Sequence, residues 1–145
     1  MLSVKNLEVV YQDVILVLRG ISFEIPKGNI VALLGSNGSG KTTVIRSITG
    51  LLDIQNGDIT KGSVTLDGED ITNLNPSKIV EKGIAQVMEG RRIFSELTVT
   101  ENLRLGGHTN SVNIQNNIDR VLEMFPALKD RQKGEAGYLL SLIHI

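Results

Sequence analysis

The chain has 145 residues with 15 Lys plus Arg against 16 Asp plus Glu, a formal net charge of −1, so no global field steers it to nucleic acid or anionic membrane. Hydrophobic residues are 41% and charged residues 21%, ordinary globular usage for one folded unit rather than a disordered tail or fibrous repeat. Zero cysteines exclude disulfides, thiol nucleophiles and thiolate zinc sites, a composition that fits a reducing cytosol. The apolar runs at 30–34 and 138–145 fall far short of the roughly 18 residues a membrane span needs, and Asn6 and Glu8 interrupt any signal-peptide core. Five aromatics are too few for a single-strand stacking platform, so no nucleic-acid partner is expected.

In chain order, the opening reads as short strands: 2–10, 21–25 and the buried-looking 30–34, with Pro26-Lys27-Gly28 turning between the last two. Residues 42–52 then carry Val44, Ile45, Ile48, Leu51 and Leu52 on one face of a helix, which Gly50 weakens at its end. Residues 53–62, with Asp, Asn and two Gly, read as a loop; 63–66 is a short strand closed by the turn dipeptide Asp67-Gly68. Asn75 before Pro76 supplies an N-cap and a first-turn proline, and Gly83 a stop, predicting a helix over 76–82, followed by a brief strand at 84–87. Thr98 with Glu101 forms a capping box before the helix at 102–105, which Gly106-Gly107 ends, and Ile118, Val121, Leu122 and Phe125 recur at helical spacing. No internal repeat is present.

Chemistry concentrates after the strand at 30–34. Gly35-Ser36-Asn37-Gly38-Ser39-Gly40-Lys41-Thr42-Thr43 fits the phosphate-loop pattern G-x-x-x-x-G-K-[ST] in a strand-to-helix context. Glycines at 35, 38 and 40 allow successive N–H groups to turn inward around a phosphate. Lys41 adds a mobile positive charge for the β and γ phosphates, the Thr42 hydroxyl can ligate Mg²⁺, and the following helix presents the positive end of its dipole. About one chain in a hundred of this composition matches by chance, and the flanking elements reduce that further. The plainer alternative is a Gly/Ser turn carrying a solvated lysine.

Gly35 to Thr43, with Tyr11 before and Gln86 after, resembles the ATP-binding subunit of an ABC transporter. The run Gly83-Ile84-Ala85-Gln86-Val87-Met88-Glu89-Gly90-Arg91-Arg92-Ile93-Phe94, followed by Leu97-Thr98-Val99 and Glu101-Asn102-Leu103, resembles the branched-chain amino-acid importer subfamily. The likeness runs from residue 2 to about 139; Met88, where many members carry proline, and a longer 53–62 loop depart from it.

The resemblance implies the α/β fold of the N-terminal part of a P-loop (RecA-like) nucleotide-binding domain, with an antiparallel β subdomain and the start of a helical subdomain. It implies ATP and Mg²⁺ as ligands and Tyr11 as the ring stacked on adenine, though an aromatic strand residue also packs simply on its neighbour. It makes Gln86 a contact to Mg²⁺ and the attacking water, against the alternative of a polar residue ending a strand. Glu89, Arg91 and Arg92 fall where the family meets its membrane subunit, though charged runs are commonly just solvated surface. Partners would be transmembrane permease subunits, touching near Gln86 to Arg92, and a second ATP-binding subunit. The location would be the cytoplasmic face of the plasma membrane, held there through the permease.

The family also carries a signature loop Leu-Ser-Gly-Gly, a strand ending Asp with a catalytic Glu, and a sensor histidine. Here Ala136-Gly137-Tyr138-Leu139 leads instead into Leu140-Ser141-Leu142-Ile143-His144-Ile145. The expectation is that residues 1–139 are a partial nucleotide-binding domain and 140–145 a non-native tail, with a natural short paralogue as the alternative. No catalytic residue is assigned, His144 included, and ATP binding without hydrolysis is expected, in a partly molten chain with an open sheet edge. A soluble ABC-type ATPase of DNA repair or translation, without a membrane partner, is the competing reading.

Overall fold

A computed structural model describes residues 1–90 and 92–141. They form two compact units, 1–86 and 87 onward. Sequence expectations that rest on Arg91 and on 142–145, including His144, lie outside the described residues.

The first unit is built on strands β1 (Leu2–Tyr11), β2 (Ile15–Ile25), β3 (Gly57–Leu66) and β4 (Glu69–Asp70), wholly antiparallel in the order β2-β1-β3-β4. Strict alternation along β1 would set Val4 and Leu7 on opposite faces. A bulge between Lys5 and Glu8 resets the phase: Asn6 takes φ 48°, and Val4, Leu7 and Val9 are all buried. Gly62 on β3 lies against this bulge at φ 87°, and a Cβ there would sit 2.3 Å from the carbonyl oxygens of Lys5 and Asn6. With Leu18 of β2, Val64 of β3, Ile71, and Val44 and Leu52 from the helical segment, these residues make the core.

Helix α1 (Lys41–Thr49) ends three residues before its predicted limit. Gly50 turns left-handed at φ 70° and Leu51 N–H donates to the Arg46 carbonyl, closing the C-terminus as glycine caps do. Leu74 O would lie 2.7 Å from a Cβ at Gly50, so the close approach also demands glycine. Helix α2 (Pro76–Glu81) starts as read, with the Asn75 side chain accepting from Ser77 N–H.

Three expectations are corrected. The span 53–62 is not a loop: Asp53–Gln55 is a 3₁₀ turn and the strand begins at Gly57, because ladder pairing with β1 outweighs its turn-rich composition. The segment 30–34 forms no strand, and Ile30 and Leu34 are 100% and 88% exposed. The segment 84–87 forms none either, with Val87 99% exposed. Both compositions suit parallel strands, but such strands exist only with ladder partners, and neither segment has one among the described residues. The apolar residues Ile30, Val31, Leu33, Leu34 and Val87 are open, but in chain without regular structure rather than on a sheet edge.

The second unit holds α3 (Val99–Gly106), α4 (Ile114–Met124) and α5 (Gly137–Ser141), joined by 3₁₀ turns at His108–Asn113 and Pro126–Arg131. The capping box at Thr98 and Glu101 forms in both directions. Val99 of α3, Ile118 and Leu122 of α4, and Ala136 are buried. Asn102 clamps the preceding turn, accepting from Phe94 N–H at 2.9 Å and donating to the carbonyls of Phe94 and Thr98 at 2.9 and 3.0 Å.

Candidate nucleotide site

The loop 35–40 leads directly into α1. Gly38 and Gly40 adopt φ 81° and 91°, and Ser39 N–H donates to Ser36 O at 3.2 Å, a tight turn feeding α1. A Cβ at Gly35 would meet Ser39 Oγ at 2.4 Å, and one at Gly40 would meet Leu18 Cδ2 at 2.8 Å, so the loop packs too closely there for side chains. Ser36, Asn37 and Ser39 are exposed.

Helix α1 starts at Gly40 with no side-chain cap and no acidic residue in its first turn. The first-turn amides of a helix have no intrahelical acceptor, so this terminus offers N–H donors and positive potential to an anion. Lys41 Nζ folds back across the loop, donating to Gly35 O at 2.9 Å and Ser36 O at 2.7 Å. Those carbonyls hold the ammonium over the loop, where an arriving phosphate would compete for it. Thr42 exposes its side chain, while Thr43 is buried and its carbonyl accepts from Ser47 Oγ at 2.8 Å. A helix N-terminus, a lysine and an exposed hydroxyl are thus consecutive here, residue types suited to a phosphate chain and its cation.

Tyr11 ends β1, immediately before a turn in which Gln12 and Asp13 take φ 53° and 59°. Its hydroxyl lies 3.5 Å from Thr43 Oγ1, at the long limit of a hydrogen bond, so the ring reaches the first turn of α1. Tyr11, Ile15, Thr43, Arg46, Gln55 and Asn56, with Gln12, line an open cleft of about 470 Å³. Arg46 donates to Gln55 across it. The two polar residues and Ile15 carry no motif and were not legible in the sequence; only the hairpin and the turn after α1 bring them beside Tyr11.

Gln86 is placed elsewhere. Thr49 Oγ1 donates to its Oε1 at 2.9 Å, at the C-terminal end of α1. Seven residues of helix separate Thr49 from Thr42, about 10 Å at 1.5 Å per residue. The structure therefore joins Tyr11 to the phosphate loop and does not bring Gln86 and Thr42 together. The physical reason is the missing ladder: with 30–34 and 84–87 both unpaired, no sheet carries Gln86 toward the loop. Glu89 and Arg92 are exposed.

Among the described residues no group of three or more His, Cys, Asp or Glu is arranged to hold a metal, and no helix is long and apolar enough to cross a membrane.

Comparisons with known proteins bear on family and fold. The family model for ABC transporters matches residues 18–142. The chain is 43% identical over 128 residues to the high-affinity branched-chain amino acid transport ATP-binding protein BraG of Pseudomonas aeruginosa, covering 88% of this chain and 53% of that protein. It is 36% identical over 124 residues to the probable branched-chain amino acid transport ATP-binding protein LivF of Archaeoglobus fulgidus, covering 85% and 50%. A solved ATP-binding cassette of an ABC transporter superposes with TM-score 0.78 at 28% identity, over 94% of this chain and 58% of that one. The chain spans about half the length of the curated relatives it matches. A mixed α/β architecture with an antiparallel sheet, a phosphate loop heading α1 and a family match over most of its length lead to one conclusion: the chain belongs to the ABC transporter ATP-binding family.

Proposed function

We propose that this chain is the nucleotide-binding part of a subunit that binds Mg²⁺-ATP and, in its transporter, powers import of branched-chain amino acids. The observation that carries the reading is the loop 35–43, with Lys41 held over it and Tyr11 reaching the first turn of α1 beside it. In this reading the loop amides and Lys41 hold the phosphates, Ser36, Asn37 and Ser39 line the loop, and Thr43 abuts the Tyr11 cleft. Tyr11 stacks on the adenine. Thr42 ligates Mg²⁺, and Gln86 joins it only if the segments 30–34 and 84–87 pair.

The branched-chain cargo is supported by the similarity to BraG and LivF alone. By the same analogy, residues 1–139 form the domain, the exposed stretch from Gln86 to Arg92 meets the permease, and a second ATP-binding subunit completes the pair. The subunit would then sit on the cytoplasmic face through its permease. These side chains position a nucleotide, and phosphoryl transfer further requires an oriented water and charge stabilisation at the γ-phosphate. Binding and phosphate release are therefore measured separately on the 145-residue chain. Saturable Mg²⁺-ATP binding, with co-purification of permease subunits of a branched-chain importer, is the expected result. Absence of nucleotide binding by a folded sample refutes the reading, and recovery of ribosomes or DNA without permease subunits replaces it with a soluble ATPase.

A further inference from the structure

Tyr11 and Gly57 are register partners across the antiparallel pair β1–β3. A Cβ on Gly57 would lie 2.5 Å from Tyr11 Cε1, 2.8 Å from Cδ1 and 3.1 Å from Cζ, so one side of the phenol ring fills the space a side chain would take. Gly57 does not lie in the left-handed region where the backbone itself favours glycine. Backbone conformation does not require glycine here; the three atoms nearest to such a Cβ all belong to the ring. The residue is buried, while the half-buried ring continues from it to the cleft and to Thr43.

We propose that Gly57 is a positioning residue for nucleotide recognition: its missing side chain is the seat that holds the Tyr11 ring at the edge of the cleft. The inference rests on the reading of Tyr11 as the nucleobase platform. An aromatic ring laid over a cross-strand glycine recovers packing that the glycine lacks, which keeps a residue next to a hairpin turn in one rotamer. A methyl group at 57 approaches the far end of a side chain with two rotatable bonds, so the ring swings away and the sheet survives.

The test uses Tyr138→Phe as background, leaving Tyr11 as the sole tyrosine in a chain with no tryptophan, so that tyrosine emission reports Tyr11 alone. Gly57→Ala should change that emission before any nucleotide is added. It should weaken ATP binding about five- to thirty-fold, the loss expected for one stacked base, and leave affinity for inorganic triphosphate unchanged. In a Tyr11→Ala background, Gly57→Ala should add no further loss, because the seat acts only through the ring. An additional loss there overturns the proposal. So does wild-type ATP affinity in Gly57→Ala when Tyr11→Ala is weakened. If Tyr11→Ala itself leaves ATP affinity intact, the platform reading fails on its own, and unaltered Tyr11 emission in Gly57→Ala would then refute the seat as well. Should Gly57→Ala not fold, restored folding in the Tyr11→Ala double variant supports the clash with the ring, and continued unfolding refutes it.

Discussion

Removing the Lys41 ammonium tests the phosphate loop most directly. Nζ donates to two loop carbonyls, at 2.9 and 2.7 Å, and a bound phosphate must draw it away from them. A unit charge pair at about 4 Å gains roughly 4 kcal/mol at an effective dielectric of about 20. Surrendering two solvent-exposed carbonyl contacts takes back about 1–2 kcal/mol. Lys41→Ala should therefore lose about 2–3 kcal/mol of triphosphate binding, a weakening of about 30- to 150-fold. Titration calorimetry with Mg²⁺-ATP reads this, with far-ultraviolet circular dichroism to show that the fold is kept. Lys41→Met, which keeps the aliphatic stem without the charge, should lose as much. Unchanged affinity in either folded variant refutes the assignment of the loop.

Leu7 is fully buried in the first unit, so Leu7→Ala should cost about 3 kcal/mol of unfolding free energy in urea; a loss below about 1 kcal/mol would contradict the core described. Ile30→Ser with Leu34→Ser, by contrast, touches side chains 100% and 88% exposed, and should change stability by no more than about 0.5 kcal/mol while lowering binding of an apolar dye. A loss above about 1 kcal/mol would place the segment in a packed core. Thr98→Ala removes the N-cap of α3 and should destabilise that helix by about 1 kcal/mol, read as faster amide exchange. The Thr98 hydroxyl and N–H both donate to Glu101 and hold its carboxyl below its ordinary value of 4.5. A depressed folded value means the cap contributes fully above 4.5 and is lost as pH falls through the folded value, so protection of α3 should decline on acidification. An equally steep decline in Thr98→Ala would show that this carboxyl is not its source.

What could be read along the chain is what neighbours in sequence decide among themselves. The Asn75 and Pro76 start and the Thr98–Glu101 box each close their hydrogen bonds within a few residues, and each formed as read, as did the Asp67-Gly68 turn between β3 and β4. Strands differ, because a strand satisfies its backbone only through a partner that may lie anywhere in the chain. Pairing with β1 drew Gly57 to Gly62 into a strand that their composition disfavours, and want of pairing left the strand-like 30–34 and 84–87 without regular structure, the first exposed throughout. The site divides in the same way. The motif at 35–43 was legible because its residues are contiguous, and tertiary structure alone decided the rest. It laid the Tyr11 ring over Gly57, set Arg46 and Gln55 in the same cleft, and left Gln86 bonded to Thr49 at the far end of α1.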